Sequence, residues 1–336
     1  MKKTRLTLHI GLPKTGTTTI QKTLGSNEQN LAQLGIVYPE FGQRHGAHHL
    51  LADPFVQQKN LIRPEPGLSP ETLTAGIFAY AEEGQHVILS SEAFASATKL
   101  RPPLKQLAEK FDLHIVVFFR EQTEYADSLA RQMLRMQLFR PDITTARVLD
   151  KGKPPRSYVE IARLWRDELP EARVSIVTLS PRDDSWKLFA DIVEPELNAV
   201  SLNQPPSNIS LNIEALAFLH WFSSTARARS PEENNRISNI LEDYSRQKRT
   251  QDGQPRHSVL PAALLEKIRR DAEAINLTLA NEFCDGVINF GPPPEFESID
   301  IRDVPADAIL EVADYVFDRY DRHISFLRGK RAHVAS

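Results

Sequence analysis

Cysteine is nearly absent from this chain of 336 residues: Cys284 stands alone, which excludes an internal disulfide framework and suits a reducing compartment. A single thiol in this setting reads as a small buried hydrophobe. Long apolar runs are also missing, and none approaches the roughly 18 residues that a membrane-spanning helix needs. Charge of one sign is not in excess either. With 41 basic against 44 acidic residues the net charge is −3, so the chain lacks the polycationic character of a nucleic-acid binder and any anion binding has to be local. There are no repeats and no low-complexity tracts. Met1 to Arg5 is basic, but the apolar stretch after it runs straight into a lysine-bearing turn and has no small-residue cleavage site. The expectation is a cytoplasmic protein without a membrane span.

What is present is an alternation of strand-like and helix-like segments. Leu6 to Ile10, His86 to Ser90, His114 to Phe119 and Val174 to Leu179 are short and rich in β-branched and apolar residues, and Leu34 to Pro39 holds a further short strand. Near-continuous apolar strands separated by helical patterns indicate a parallel sheet buried on both faces. Helices are expected over 16–34, 71–83, 104–111, 123–138 and 157–168. Residues 140–156, with Lys151-Gly152-Lys153-Pro154-Pro155, read as a loop. Beyond 205 the pattern turns helical over 213–222, 231–244 and 260–283, with a basic polar loop at 246–257, an irregular stretch at 286–306 and a closing helix. The length fits one large α/β domain, divided into a core at 1–205 and a helical part at 206–336 of the same domain.

The first strand ends in Gly11-Leu12-Pro13-Lys14-Thr15-Gly16-Thr17-Thr18-Thr19, followed by a helix start. Backbone N–H groups at a helix N-terminus, together with the helix dipole, favour an anion in front of them. Gly11 and Gly16 allow close backbone approach, Lys14 adds charge, and the threonines add hydroxyl donors. The spacing differs from GxxxxGK[ST], in which the lysine follows the second glycine. Here Thr17 holds that place and Lys14 precedes Gly16, which points away from magnesium-dependent ATP chemistry.

Ligands of open parallel sheets bind outside the carboxyl ends of the strands. The other strand ends are Ser90-Ser91-Glu92, Arg120 and Ser180-Pro181-Arg182. Glu92 is the candidate general base, with His48 or His49 as the alternative. The cluster His45, His48 and His49 lacks an accompanying carboxylate or cysteine spacing, so no metal is expected there.

The run Pro13-Lys14-Thr15-Gly16-Thr17-Thr18 resembles the 5′-phosphosulfate loop of the sulfotransferases, in particular their bacterial members. Phe119-Arg120 followed by Ser128 eight residues on is similar to that family's 3′-phosphate site, and Ser90-Ser91-Glu92 resembles the acceptor-side carboxylate of its carbohydrate-specific members. The resemblance implies a P-loop-like three-layer α/β fold with a central parallel sheet and a largely helical C-terminal part. It further implies 3′-phosphoadenosine 5′-phosphosulfate as co-substrate, bound by Pro13, Lys14, Thr15, Gly16, Thr17, Thr18, Arg120 and Ser128. The sulfuryl group would pass by in-line displacement, without a metal, to a saccharide or glycolipid hydroxyl, with Lys14, Glu92 and His48 as catalytic candidates. Arg131 and Arg135 share a helix face with Ser128 and suggest an anionic acceptor. The Arg-Lys-Gly loop that closes the 3′-phosphate site in many cytosolic members has no counterpart here, and Arg246, Lys248 or Arg249 would have to replace it. Two other readings stand beside this one: a P-loop kinase of small molecules and a non-catalytic nucleotide-binding protein.

Overall fold

A computed structural model describes residues 3–58, 69–82, 84–140, 142–149, 157–180, 183–198, 210–225, 230–248 and 256–320. Along the chain the elements are β1 (Thr4–Gly11), α1 (Thr17–Gly25), α2 (Glu28–Gln33), β2 (Ile36–Val37), α3 (Ala52–Phe55), β3 (Val56–Gln58), α4 (Pro70–Glu82), β4 (His86–Ser90), β5 (Ala97–Leu100), α5 (Pro102–Lys110), β6 (Phe111–Arg120), α6 (Gln122–Arg135), α7 (Thr145–Leu149), α8 (Tyr158–Glu168), β7 (Arg173–Leu179), α9 (Ser185–Val193), α10 (Ile213–Thr225), α11 (Pro231–Gln247), β8 (Arg256–Ser258), α12 (Ala262–Phe283), β9 (Phe296–Ser298) and α13 (Ala306–Arg319). They divide between two compact units that interleave along the chain: Met1–Glu121, Arg156–Ser207 and Ala272–Pro292 in the first, Gln122–Pro155, Asn208–Asp271 and Pro293–Ser336 in the second.

The first unit is α/β. Its five-stranded sheet has the order β2-β4-β1-β6-β7, and every pairing is parallel. His9 pairs with Ser90 and Gly11 with Phe118, so β4, β1 and β6 end at the same edge of the sheet, each two residues beyond the last. From β1 the chain passes to the edge strand β2, returns to β4 between them, and then crosses to β6 and β7 on the other side of β1, so strand order reverses at β1, the kind of point at which open parallel sheets bind ligands. One face of the sheet presents Ile88, Val116, Phe118 and Val177 to Ile20 and Leu24 of α1 and to Trp186 and Phe189 of α9. The opposite face carries Phe111 and Phe119, whose rings stack with Phe78 of α4 and Tyr158 of α8. Helices on both faces explain why β1 and β6 are buried at alternate and intervening positions alike, Thr7 and His9 of β1 included.

Several local details depart from the expected pattern. The helix over 16–34 breaks at Ser26 and Asn27, where the Asn27 amide turns back onto the Thr23 carbonyl (2.7 Å) and ends α1 before α2 begins. Phe111 opens β6 rather than closing α5, and Pro102 stands at the first turn of that helix. Helix α9 is not among the expected elements, although Asp184 caps it by accepting from the Trp186 and Lys187 amides at 2.9 and 3.3 Å. The antiparallel pair β3–β5 is a further addition. The 140–156 stretch expected as a loop holds α7 (Thr145–Leu149), while residues 141 and 150–156, Pro181-Arg182 and residues 249–255 lie outside the described residues.

The second unit is mainly helical. Leu216, Phe218, Phe222, Ile237, Leu241, Val312 and Val316 form its core. A capping box starts α11, with Ser230 and Glu233 each accepting from the other's amide at 3.2 and 2.8 Å. A two-stranded parallel ribbon, β8–β9, completes it. Among the described residues no helix is long and apolar enough to cross a membrane.

Four histidines of the first unit, His9, His48, His86 and His114, are buried. Burial lowers them to about 3, 4, 3 and 4 respectively, so each is neutral when folded. The unfolded chain binds protons below about pH 6.5 that the folded chain refuses, so stability is complete above that pH and falls as the pH drops toward 4. Denaturant titrations between pH 7 and 4.5 should lose roughly 1.4 kcal/mol per pH unit for each histidine on the plateau between its two pKa values. A flat profile would contradict the burial of these rings in neutral form.

Candidate functional site

The site is built at the carboxyl end of β1. Leu12 continues the strand by donating to the Phe118 carbonyl (3.4 Å), and the chain then folds back so that the Thr15 amide and hydroxyl both donate to the Leu12 carbonyl, at 3.2 and 2.7 Å. This tight turn needs two left-handed residues. Lys14 has φ 71° and Gly16 has φ 77°. Gly16 then caps α1 with no side-chain cap, while its carbonyl accepts from the Thr19 and Ile20 amides at 3.0 and 3.2 Å. The first-turn N–H groups of α1 therefore face outward beside Lys14 and Thr18, both exposed, while Thr15 and Thr17 are buried. Pro13 is half-buried at the turn.

Glycine is required at both ends of the turn. A methyl on Gly11 would meet Thr17 Cγ2 at 1.9 Å, and one on Gly16 would meet Ser185 Cβ at 2.4 Å. Ser185, the first residue of α9, also donates to the Gly16 carbonyl at 3.4 Å, so α9 buttresses the loop.

Glu92 stands across from the first turns of α1. The Thr17 hydroxyl donates to Oε1, and Gln21 Nε2 donates to Oε2 at 3.2 Å and to Ser90 Oγ at 3.2 Å. Thr17 and Gln21 share a face because they are four residues apart. Ser90 Oγ also bonds His9 Nδ1 at 2.8 Å. The loop and the carboxylate are thereby held as one polar network.

The two histidines beside Glu92 differ in kind. His48 is fully buried and uses both ring nitrogens: Nε2 donates to the Pro39 carbonyl (2.8 Å) and Nδ1 accepts the Ser90 amide (3.1 Å). That fixes its tautomer and commits it to joining the 38–49 segment to β4, a correction to its selection as a proton acceptor. His49 is partly open. Its Nδ1 bonds Ser91 Oγ at 2.8 Å, and its Nε2 lies 3.7 Å from Glu92 Oε2. Burial lowers the His49 pKa, Glu92 opposes that shift, and His45 and Arg44 add to it. Among the described residues no group of three His, Cys, Asp or Glu side chains is arranged to hold a metal ion.

Arg120 ends β6, and its Nη1 donates to the Lys14 carbonyl at 3.0 Å. Ser128 lies on α6 and belongs to the second unit. On the same helix Arg131 is committed to structure: it donates to Asp127 (2.7 Å), to the Leu211 carbonyl (3.0 Å) and to the His257 carbonyl. Arg135 donates to Ser238 and pairs with Glu242. These partners correct the assignment of both arginines to an anionic acceptor. Asp127 itself accepts from the Ser258 hydroxyl and the Val259 amide (2.7 and 2.9 Å), so this face of α6 anchors β8. Of the cations considered as substitutes for a closing loop, Arg246 pairs with Asp243 and Lys248 with Glu311, while Arg249 lies outside the described residues.

Sequence reasoning missed Gln21 and Ser185, and named Ser90 only as part of a strand end. Only Gln21 left a usable signal, its four-residue spacing from Thr17. No family model matches the chain, and no curated protein matches it.

Substitutions at two positions test the loop geometry. Gly11→Ala should cost about 1–3 kcal/mol, read as a lowered denaturation midpoint, because Thr17 has no room to retreat. Lys14→Gly should be more stable than Lys14→Ala by about 0.5–1 kcal/mol, since alanine keeps the steric cost of a left-handed residue. Equal midpoints for the two Lys14 variants would show that this residue is not left-handed in solution.

Proposed function

We propose that this protein is a sulfotransferase with a P-loop-like fold that takes 3′-phosphoadenosine 5′-phosphosulfate as donor. The observation that carries the reading is the linkage of three strand ends around one anion-binding turn: Lys14 on the loop, Glu92 clasped to α1 through Thr17 and Gln21, and Arg120 bonded to the Lys14 carbonyl. The strand order with β1 at the reversal point supports it, because open parallel sheets bind their ligands at such a point. Pro13, Thr15, Gly16, Thr17 and Thr18 would form the cradle of the 5′-phosphosulfate, and Arg120 would offer its guanidinium to the 3′-phosphate.

In the reaction an acceptor oxygen attacks sulfur while the bond from sulfur to the 5′-phosphate oxygen breaks. The acceptor's proton passes to Glu92, and Lys14 with the first-turn amides of α1 stabilises charge on the departing oxygen. His49 stands behind Glu92 and is the second group able to hold that proton. A saccharide or glycolipid hydroxyl is the acceptor class favoured by the Ser90-Ser91-Glu92 resemblance. No metal enters the proposed steps.

One observation favours the kinase reading. A carboxylate at the end of the strand beside β1, bonded to a hydroxyl of the loop helix, is also where a magnesium-binding acid would stand. The position of Lys14 before Gly16 weighs against it. Calorimetry separates the readings: 3′,5′-adenosine bisphosphate should bind well ahead of adenosine monophosphate and of ATP with magnesium. Preference for magnesium–ATP would establish the kinase reading. Tight bisphosphate binding with no transfer to any acceptor, and no effect of Glu92→Gln, would indicate a non-catalytic nucleotide-binding protein.

With an acceptor in hand, Lys14→Ala should reduce turnover on the order of a hundredfold or more at saturating donor. Glu92→Gln should reduce it by about 10²–10⁴. Near-normal turnover in either folded variant would remove that residue from its assigned role.

A further inference from the structure

Lys14 is a residue with a Cβ in a left-handed conformation, φ 71°, in a turn closed by Thr15 on the Leu12 carbonyl. Such a conformation persists only where neighbouring contacts over-determine it. Two consecutive hydrogen bonds supply a contact of this kind. Arg120 Nη1 donates to the Lys14 carbonyl at 3.0 Å, and the Arg120 carbonyl accepts from the Tyr158 hydroxyl at 2.8 Å. Tyr158 is itself immobilised: its side chain is buried, and its ring stacks on Phe119 at 4.2 Å with an interplanar angle of 4°. All four residues belong to the first unit, and β1 and β6, which carry the two ends of the linkage, are neighbours in the sheet.

We propose that Tyr158 and Arg120 form a brace that holds the Lys14 peptide in its left-handed state, making Arg120 a positioning residue for the lysine loop and Tyr158 a positioning residue for Arg120. The chemistry of the guanidinium allows both duties. It has five N–H donors in a fixed plane, so one can serve the Lys14 carbonyl while others meet an anion. A charged donor on a carbonyl also gives a stronger bond than a neutral one. The two ends of the donor are then coupled through the protein: a 3′-phosphate that immobilises Arg120 also steadies the loop that receives the 5′-phosphosulfate. The catalytic consequence rests on the sulfotransferase reading, whereas the brace itself does not.

Amide hydrogen exchange on the ligand-free protein tests the brace directly, read at Thr15, whose amide donates to Leu12. Tyr158→Phe keeps the ring stack and deletes only the hydroxyl, and Arg120→Gln deletes the guanidinium. Both should raise Thr15 exchange several-fold, and Arg120→Gln should do so by about tenfold or more, the equivalent of one charge-assisted hydrogen bond. The effect of Tyr158→Phe should shrink in a Lys14→Gly background, where the left-handed state needs no support. Unchanged Thr15 protection in both single variants overturns the brace. A second readout uses adenosine 5′-phosphosulfate, a donor without the 3′-phosphate. If Arg120 positions the loop, Arg120→Gln lowers kcat on this donor as well. If kcat is unaffected there, Arg120 serves the 3′-phosphate alone in the reaction and the catalytic consequence of the brace is refuted. Failure of the wild-type protein to bind 3′,5′-adenosine bisphosphate would sink the donor reading while leaving the exchange result to decide the brace.

Discussion

The parallel pairing of β1 with both β4 and β6 is the constraint on which the rest of the first unit depends. Because His9 is level with Ser90 and Gly11 with Phe118, β4, β1 and β6 end in steps of two residues at the same edge of the sheet. Everything of chemical interest follows from what leaves those ends. A one-residue change of register would exchange the buried face of a strand for the other and carry Glu92 or Arg120 away from the loop. The apolar layers on both faces, with Phe189 and Trp186 on one side and Tyr158 on the other, hold that register.

On this platform polar groups are tied to one another rather than left to solvent. The network runs from His9 through Ser90 and Gln21 to Glu92, with Thr17 joining the carboxylate to the start of α1. His48 secures the neighbouring segment by bonding Pro39 on one side and Ser90 on the other. Its burial keeps it neutral, and neutrality is what lets one ring nitrogen donate while the other accepts. A site whose groups are already oriented need not reorganise when charge develops, which is the main source of electrostatic stabilisation in a transition state. The same organisation makes the loop intolerant of a methyl at Gly11 or Gly16.

The second unit shows how arginines on a helix can mislead. Arg131 and Arg135 fall on one face with Ser128, and that spacing invites a binding role. Their donors are instead used on Asp127, Leu211, His257, Ser238 and Glu242. Asp127 is the counterpart in this packing, gathering Arg131, Ser258 and the Val259 amide. These contacts bind the β8 segment and α11 to α6, so the charges serve cohesion within the unit.

Much of this was legible in the sequence, where local physics leaves a local signal. The strands of the main sheet, the glycine–lysine–threonine turn and the strand ends carrying Glu92 and Arg120 are all written in short stretches, because burial on two faces demands apolar runs and a tight turn demands glycine. The break at Asn27, the start of β6 at Phe111 and the cap of α9 at Asp184 were weaker signals, since a single side chain decides each. Strand order, the division of the chain between two units, the commitment of His48 to Pro39 and Ser90, and the bond from Arg120 to Lys14 arise between residues far apart in the chain. Amino-acid order by itself determined which residues could bind an anion and where the strands end. Which of them meet was decided only by the tertiary structure, because hydrogen bonds and ion pairs over such separations depend on a sheet register that no local pattern encodes.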